Sequence, residues 1–198
     1  WGYIPGGKGR YEYAVRWTGA AQRLLGDGYR IIEEGLNGRT TVFDSPFDGS
    51  VLNSKSHLMC CLMSHAPLDA VVIMLGTNDL MHSHTAWEAS RGCITLSRMV
   101  MNGALHFNAH TPRLLLVSPI HIGREIAETD QSPLSVSGYE ESLKFAPLYE
   151  QAAARIGIDF LDAAKYAEPS PVDNEHMDAE GHAALAAAIA DKLKTMLG

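Results

Sequence analysis

Few features of this 198-residue sequence point toward a membrane, a nucleic acid or a disulfide-stapled fold. No apolar run approaches the ~20 residues that a membrane-spanning helix needs. Lysine and arginine number 16 against 23 aspartates and glutamates, a net charge of −7. No basic cluster stands out, which argues against a nucleic acid or an anionic membrane surface as partner. Cysteine is scarce: Cys60, Cys61 and Cys93 are odd in number and two are adjacent, which is no disulfide framework. Small buried thiols in a reducing compartment, the cytoplasm, are the expectation. No Gly-x-Gly-x-x-Gly follows a strand and no Walker sequence occurs, so a phosphate-binding loop is excluded. What remains, 46% hydrophobic and 20% charged, is an ordinary globular composition with a sizeable core. One domain over residues 1–198 is expected.

The amino end also lacks something. Trp1 leads straight into Gly2-Tyr-Ile-Pro-Gly-Gly-Lys-Gly-Arg10, a loop composition, and the first helix arrives with no strand before it. An α/β unit begins with a strand, so a segment carrying strand one is expected upstream of Trp1.

Along the rest of the chain, strands alternate with helices. Apolar spacing predicts a helix over 15–25, stopped by Gly26, and a short strand over 29–34. A helix over 52–63 precedes a strand at 71–75, five apolar residues that read as buried on both faces. A long helix over 87–107, a strand at 113–117 and a polar loop over 121–138 of lid length follow. Residues 139–156 read as helical with a split at Pro147, 158–161 as a last strand, and 179–197 as an Ala-rich closing helix. The fold class is α/β: a parallel sheet between two helical layers, three-layer α/β/α.

Three loops hold residues suited to chemistry. Gly76-Thr-Asn-Asp79 stands just past the carboxyl end of a central strand, the edge where open α/β sheets bind ligands. Asn78 carries an amide donor on a short side chain, a group suited to a developing oxyanion, although Gly, Asn and Asp are also ordinary turn residues. Asp173 and His176 stand three residues apart before a helix capped by Asp178. That spacing lets a carboxylate orient an imidazole, as in a nucleophile-activating pair, or makes a pair of surface loop residues. The third loop is Gly35-Leu-Asn-Gly-Arg-Thr-Thr41.

In this order, the loops at 35–41, 76–79 and 173–176 resemble the SGNH (GDSL-type) hydrolases. The phrases Arg16-Trp-Thr-Gly19 and Glu33-Glu-Gly-Leu36 are similar to those of its arylesterase/acyltransferase branch. The resemblance implies a flavodoxin-like sheet and a serine esterase for short acyl esters, with transfer to alcohols. It implies His176 as general base, Asp173 as its orienter, and Asn78 and the Gly38 N–H in the oxyanion hole. It also implies a homo-oligomer, with a small acyl ester as the partner.

One departure is large. The Gly-Asp-Ser block that carries the nucleophile is missing, and no Gly-x-Ser-x-Gly elbow replaces it. Ser45, in Phe43-Asp-Ser-Pro46, falls after the second block and is rejected. The serine is therefore expected upstream of Trp1, and a non-catalytic binding protein is the alternative. Asn174 stands where the family often has Gly. Trp1 and His82 are candidates for the substrate pocket. His82 with His84, and His106 with His110, lack the partners of a zinc motif, so no metal or cofactor is expected. His182 is expected to pack at the start of the closing helix.

Overall fold

A computed structural model describes residues 1–46, 48–102, 110–129 and 136–198, and of Val136 only the backbone. Its centre is a parallel sheet in the order β1–β2–β3, with β1 Ala70–Ile73, β2 Arg113–Ser118 and β3 Asp159–Asp162. β1 pairs with β2 from Ala70 opposite Arg113, and β2 with β3 from Leu115 opposite Asp159. β2 lies in the middle and is buried from Leu114 onward, as its unbroken apolar run requires.

Side chains alternate along β2, and the alternation builds two cores. Leu114 and Leu116 face a cluster formed by α2 (Ser54–His65), α4 (Ala86–Met101) and α6 (Phe145–Ile156). Leu115 and Val117 face the other cluster, from α1 (Trp17–Leu25) and α7 (Ala179–Leu197). The molecule is thus three layers, α/β/α. Two shorter helices, α3 (Thr77–Met81) and α5 (Val136–Ser142), lie at the carboxyl side of the strands. None of the described helices is long and apolar enough to cross a membrane.

The expected elements are present with shifted boundaries. α1 starts at Trp17 and stops at Gly26, which has φ +79°. α2 starts after Asn53, whose side chain accepts from the Lys55 N–H, while Ser50–Leu52 forms a 3₁₀ turn ahead of it. α4 opens with a capping box in which Thr85 and Glu88 exchange hydrogen bonds. It ends at Met101; the rest of the long helix expected to 107, with His106, lies outside the described residues.

The split expected at Pro147 falls earlier. α5 ends at Ser142 and α6 begins at Phe145, which puts Pro147 in the first turn of α6, where a missing N–H breaks no helical bond. The stretch 121–138 contains a 3₁₀ turn, Arg124–Glu128, and the start of α5, with 130–135 outside the described residues.

Two expectations fail for one reason. Residues 29–34 form no strand, and β1 is half-buried over Ala70–Val72 rather than covered on both faces. Among the described residues β1 is an edge strand, and it lines a groove of about 1310 Å³ together with residues 29–34. The run is held instead by Gln22, whose side chain accepts from the Ile31 N–H and donates to the Tyr29 carbonyl. A strand exists only with a ladder partner, and neither side of the groove supplies one to the other.

Candidate active site

Asp173 organises the carboxyl-terminal loop. Its carboxylate is fully buried, and Oδ1 accepts from the backbone N–H groups of Glu175 and His176 at 3.1 and 3.0 Å. Oδ2 accepts from the Gly6 N–H at 3.3 Å and stands 3.0 Å from His176 Nδ1. The Ser170 N–H closes the turn onto the His176 carbonyl at 2.7 Å. A short sequence separation therefore becomes a fixed geometry. Nδ1 beside a carboxylate carries the proton of the neutral ring, which leaves Nε2 as the basic nitrogen. The imidazole keeps 28% exposure, and Tyr3 rests on it at a centroid distance of 4.3 Å.

Asn174 reaches the loop's turn with φ +58°, a conformation an asparagine tolerates. Its carbonyl accepts from the Gly123 N–H at 2.7 Å. A Cβ on Gly123 would stand 2.1 Å from Asn174 Oδ1, so only glycine fits at this contact.

The other two loops are tied together. Asp79 is fully buried, and its carboxylate accepts from the Thr41 N–H at 3.1 and 3.3 Å and from the Thr41 hydroxyl. Burial pushes its pKa up to about 6, against the pull of the Thr41 hydrogen bonds. Asn78 donates one Nδ2 N–H to the Arg39 carbonyl at 3.0 Å, which aims the amide, and its second N–H meets no acceptor among the described residues. Among the described residues no acceptor takes up the Gly38 N–H. Gly76 makes the sharp exit from β1, with φ +134°; a Cβ there would stand 2.4 Å from the Tyr149 hydroxyl. That hydroxyl donates to the Leu75 carbonyl at 2.7 Å.

The groove along β1 collects these parts. Trp1, Tyr3, Arg39, Asn78, Glu175 and His176 line it. Arg16 and Arg39 line it too, each with a buried Nε that has no hydrogen-bond partner among the described residues. On its rim, Arg10 and Arg16 pair with Glu33 at 3.5 and 3.3 Å.

His82 is not a lining residue; it caps α3, its N–H donating to the Asp79 carbonyl. His84 stacks on Phe43 at 3.6 Å, and His110 pairs with Asp69 at 3.3 Å. His182 is buried at the start of α7, as expected. Ser45 is buried in its own turn, its hydroxyl 3.0 Å from Asp48. Among the described residues no group of three His, Cys, Asp or Glu could hold a metal ion. Sequence reasoning passed over Tyr3, Glu175 and Gly123. Only Glu175 carried a signal, an acidic residue next to the histidine.

A buried carboxylate holding an imidazole, in a groove at the carboxyl edge of a parallel sheet that Asn78 also lines, is an arrangement suited to hydrolytic chemistry. Comparison with known proteins names its kind. Residues 4–184 match the GDSL-like Lipase/Acylhydrolase family, and the chain belongs to that family, a carboxylic ester hydrolase. Among solved structures, it is similar to Est24, a carbohydrate acetylesterase from Sinorhizobium meliloti. They share 36% identity over 99% of this chain and 94% of that one, with a TM-score of 0.88. The aryl esterase of M. smegmatis is 31% identical over 100% and 94%, with a TM-score of 0.89. A putative arylesterase from Agrobacterium tumefaciens str. C58 is 33% identical over 100% and 94%, with a TM-score of 0.88. No curated protein sequence matches the chain.

Proposed function

We propose that the chain supplies the base, its orienter and the oxyanion hole of a serine esterase, and that the nucleophile lies on a strand filling the groove along β1. The observation that carries the reading is the buried Asp173 carboxylate 3.0 Å from His176 Nδ1, with Nε2 turned away from it. The serine proton passes to His176 Nε2 as Oγ attacks the acyl carbonyl. The free N–H of Asn78 and the Gly38 N–H receive the oxyanion, and His176 returns the proton to the departing alcohol. Water, or a second alcohol, then releases the acyl group from the serine.

The groove supports the placement of the nucleophile. It is lined by β1, whose outer edge has no ladder partner among the described residues, and by His176 and Asn78. Arg16 Nε and Arg39 Nε, buried there without acceptors, favour an occupant that brings acceptors of its own. The named neighbours support aryl esters and acetylated sugars as substrates, with short acyl groups. The free thiols Cys60, Cys61 and Cys93 fit a cytoplasmic setting. The resemblance to the arylesterase branch favours a homo-oligomer of one domain per chain.

Fluorophosphonate labelling of the natural protein, followed by peptide mapping, tests the reading. The expected label is on a serine of the groove-filling strand, with p-nitrophenyl acetate hydrolysis lost in His176→Ala. A label on Ser45, or anywhere else in residues 1–198, overturns the placement of the nucleophile. A second reading, a binding protein without turnover, draws on one observation: among the described residues no hydroxyl bonds His176 Nε2. Absence of any label would favour it.

A further inference from the structure

Glu175 has no place in the three-loop reading, yet its side chain is 6% exposed, lines the groove and stands 4.0 Å from His176 Nδ1. Among the described residues no donor bonds its carboxyl, whose oxygens open onto the groove. A carboxylate so largely removed from water gains from a positive partner. Among the described residues the cation-forming group beside it is His176, and Asp173 is a second charge that acts on it. Burial raises its pKa, the imidazolium lowers it, and Asp173 raises it.

We infer that Glu175 is a positioning residue for the base, a second carboxylate facing Nδ1 that shares with Asp173 the stabilisation of the His176 imidazolium. Geometry divides the labour. Asp173 Oδ2, at 3.0 Å, fixes the ring through a hydrogen bond; Glu175 Oε2, at 4.0 Å, is beyond that range and acts through charge. Tyr3 lies against the ring at a centroid distance of 4.3 Å, tilted by 34°. Among the described residues, Asp173 and Glu175 on its own loop, His182 from α7 and the Tyr3 phenol act on or touch the imidazole, and Arg16 and Arg39 line the same groove. An opposite charge at this distance moves a titration by about one pH unit.

The inference rests on His176 as general base, and its test is chosen to read the imidazole separately from turnover. NMR titration of the His176 ring is compared between wild type, Glu175→Gln and Asp173→Asn. The expected result is a protonation midpoint about one pH unit lower in Glu175→Gln, with the Asp173 contact intact. In the active natural protein, the acid limb of kcat/KM moves the same way, and adding Glu175→Gln to Asp173→Asn lowers the residual rate roughly tenfold further. An unmoved midpoint in folded Glu175→Gln overturns the inference, as does a double variant no slower than Asp173→Asn alone. If the midpoint moves while the rate profile stays fixed, the reading of His176 as base fails instead.

Discussion

Acid sensitivity of the α1–α7 contact offers a sharp test of these packing arguments. His182 is 3% exposed, and its Nδ1 accepts the Trp17 N–H at 3.3 Å. That N–H belongs to the first turn of α1, where the preceding Arg16 offers no side-chain cap, so an imidazole on α7 fills the role. Burial lowers the pKa of His182 from 6.5 to about 4, and such a depression is worth about 3 kcal/mol. The unfolded chain takes up the proton near pH 6.5 and the folded protein only near pH 4. The contribution is therefore intact above pH 6.5 and is lost as pH falls toward 4.

Asp79 works in the opposite direction. Its pKa rises from 3.8 to about 6, so the folded protein binds this proton first. Its contribution is full below pH 3.8 and is lost as pH rises through 6, again about 3 kcal/mol. The two groups offset one another in wild type. His182→Asn keeps an acceptor near the Nδ1 position and removes the titration. Urea unfolding of both proteins at pH 7, 5.5 and 4 should show the variant gaining about 3 kcal/mol relative to wild type on going from pH 7 to 4. A difference that stays constant across that range refutes a neutral, buried His182.

Two further outcomes are expected at the site. Asn78→Ala should lower kcat/KM about 10²–10³-fold while the thermal midpoint stays within a few degrees, since only one hydrogen bond, to the Arg39 carbonyl, is lost. Loss of activity in step with loss of folded protein would count against an oxyanion role. Gly123→Ala should drive Asn174 aside and cut the esterase rate roughly tenfold or more through misplacement of Asp173 and His176. Adding Asn174→Gly, which removes the clashing side chain at a position with φ +58°, should restore the rate. A double variant no faster than the single one would rule out that contact.

Local signals were strongest where one element decided its own structure. α7 spans the residues its Ala-rich pattern and Asp178 cap announce, and β2 extends the expected run by one residue. Asp173 and His176 were legible because three residues of turn suffice to bring carboxylate and ring together. The run 29–34 was misread because β-propensity says nothing about whether a ladder partner stands alongside. Pro147 was misread because a proline tolerated in a first turn looks, in sequence, like a breaker. Tyr3 left no trace at all: its contact with His176 spans nearly the whole chain, and a lone aromatic in a Gly-rich loop carries no periodicity.

The outer edge of β1 has a colloidal consequence. Among the described residues the outer edge of β1 has no ladder partner, and such an edge along a groove is a template for any extended segment, including the same edge of another copy. Occupancy of the groove and dispersion in solution are therefore linked. Light scattering at rising concentration then becomes a gauge of how completely the groove is filled, readable without substrate.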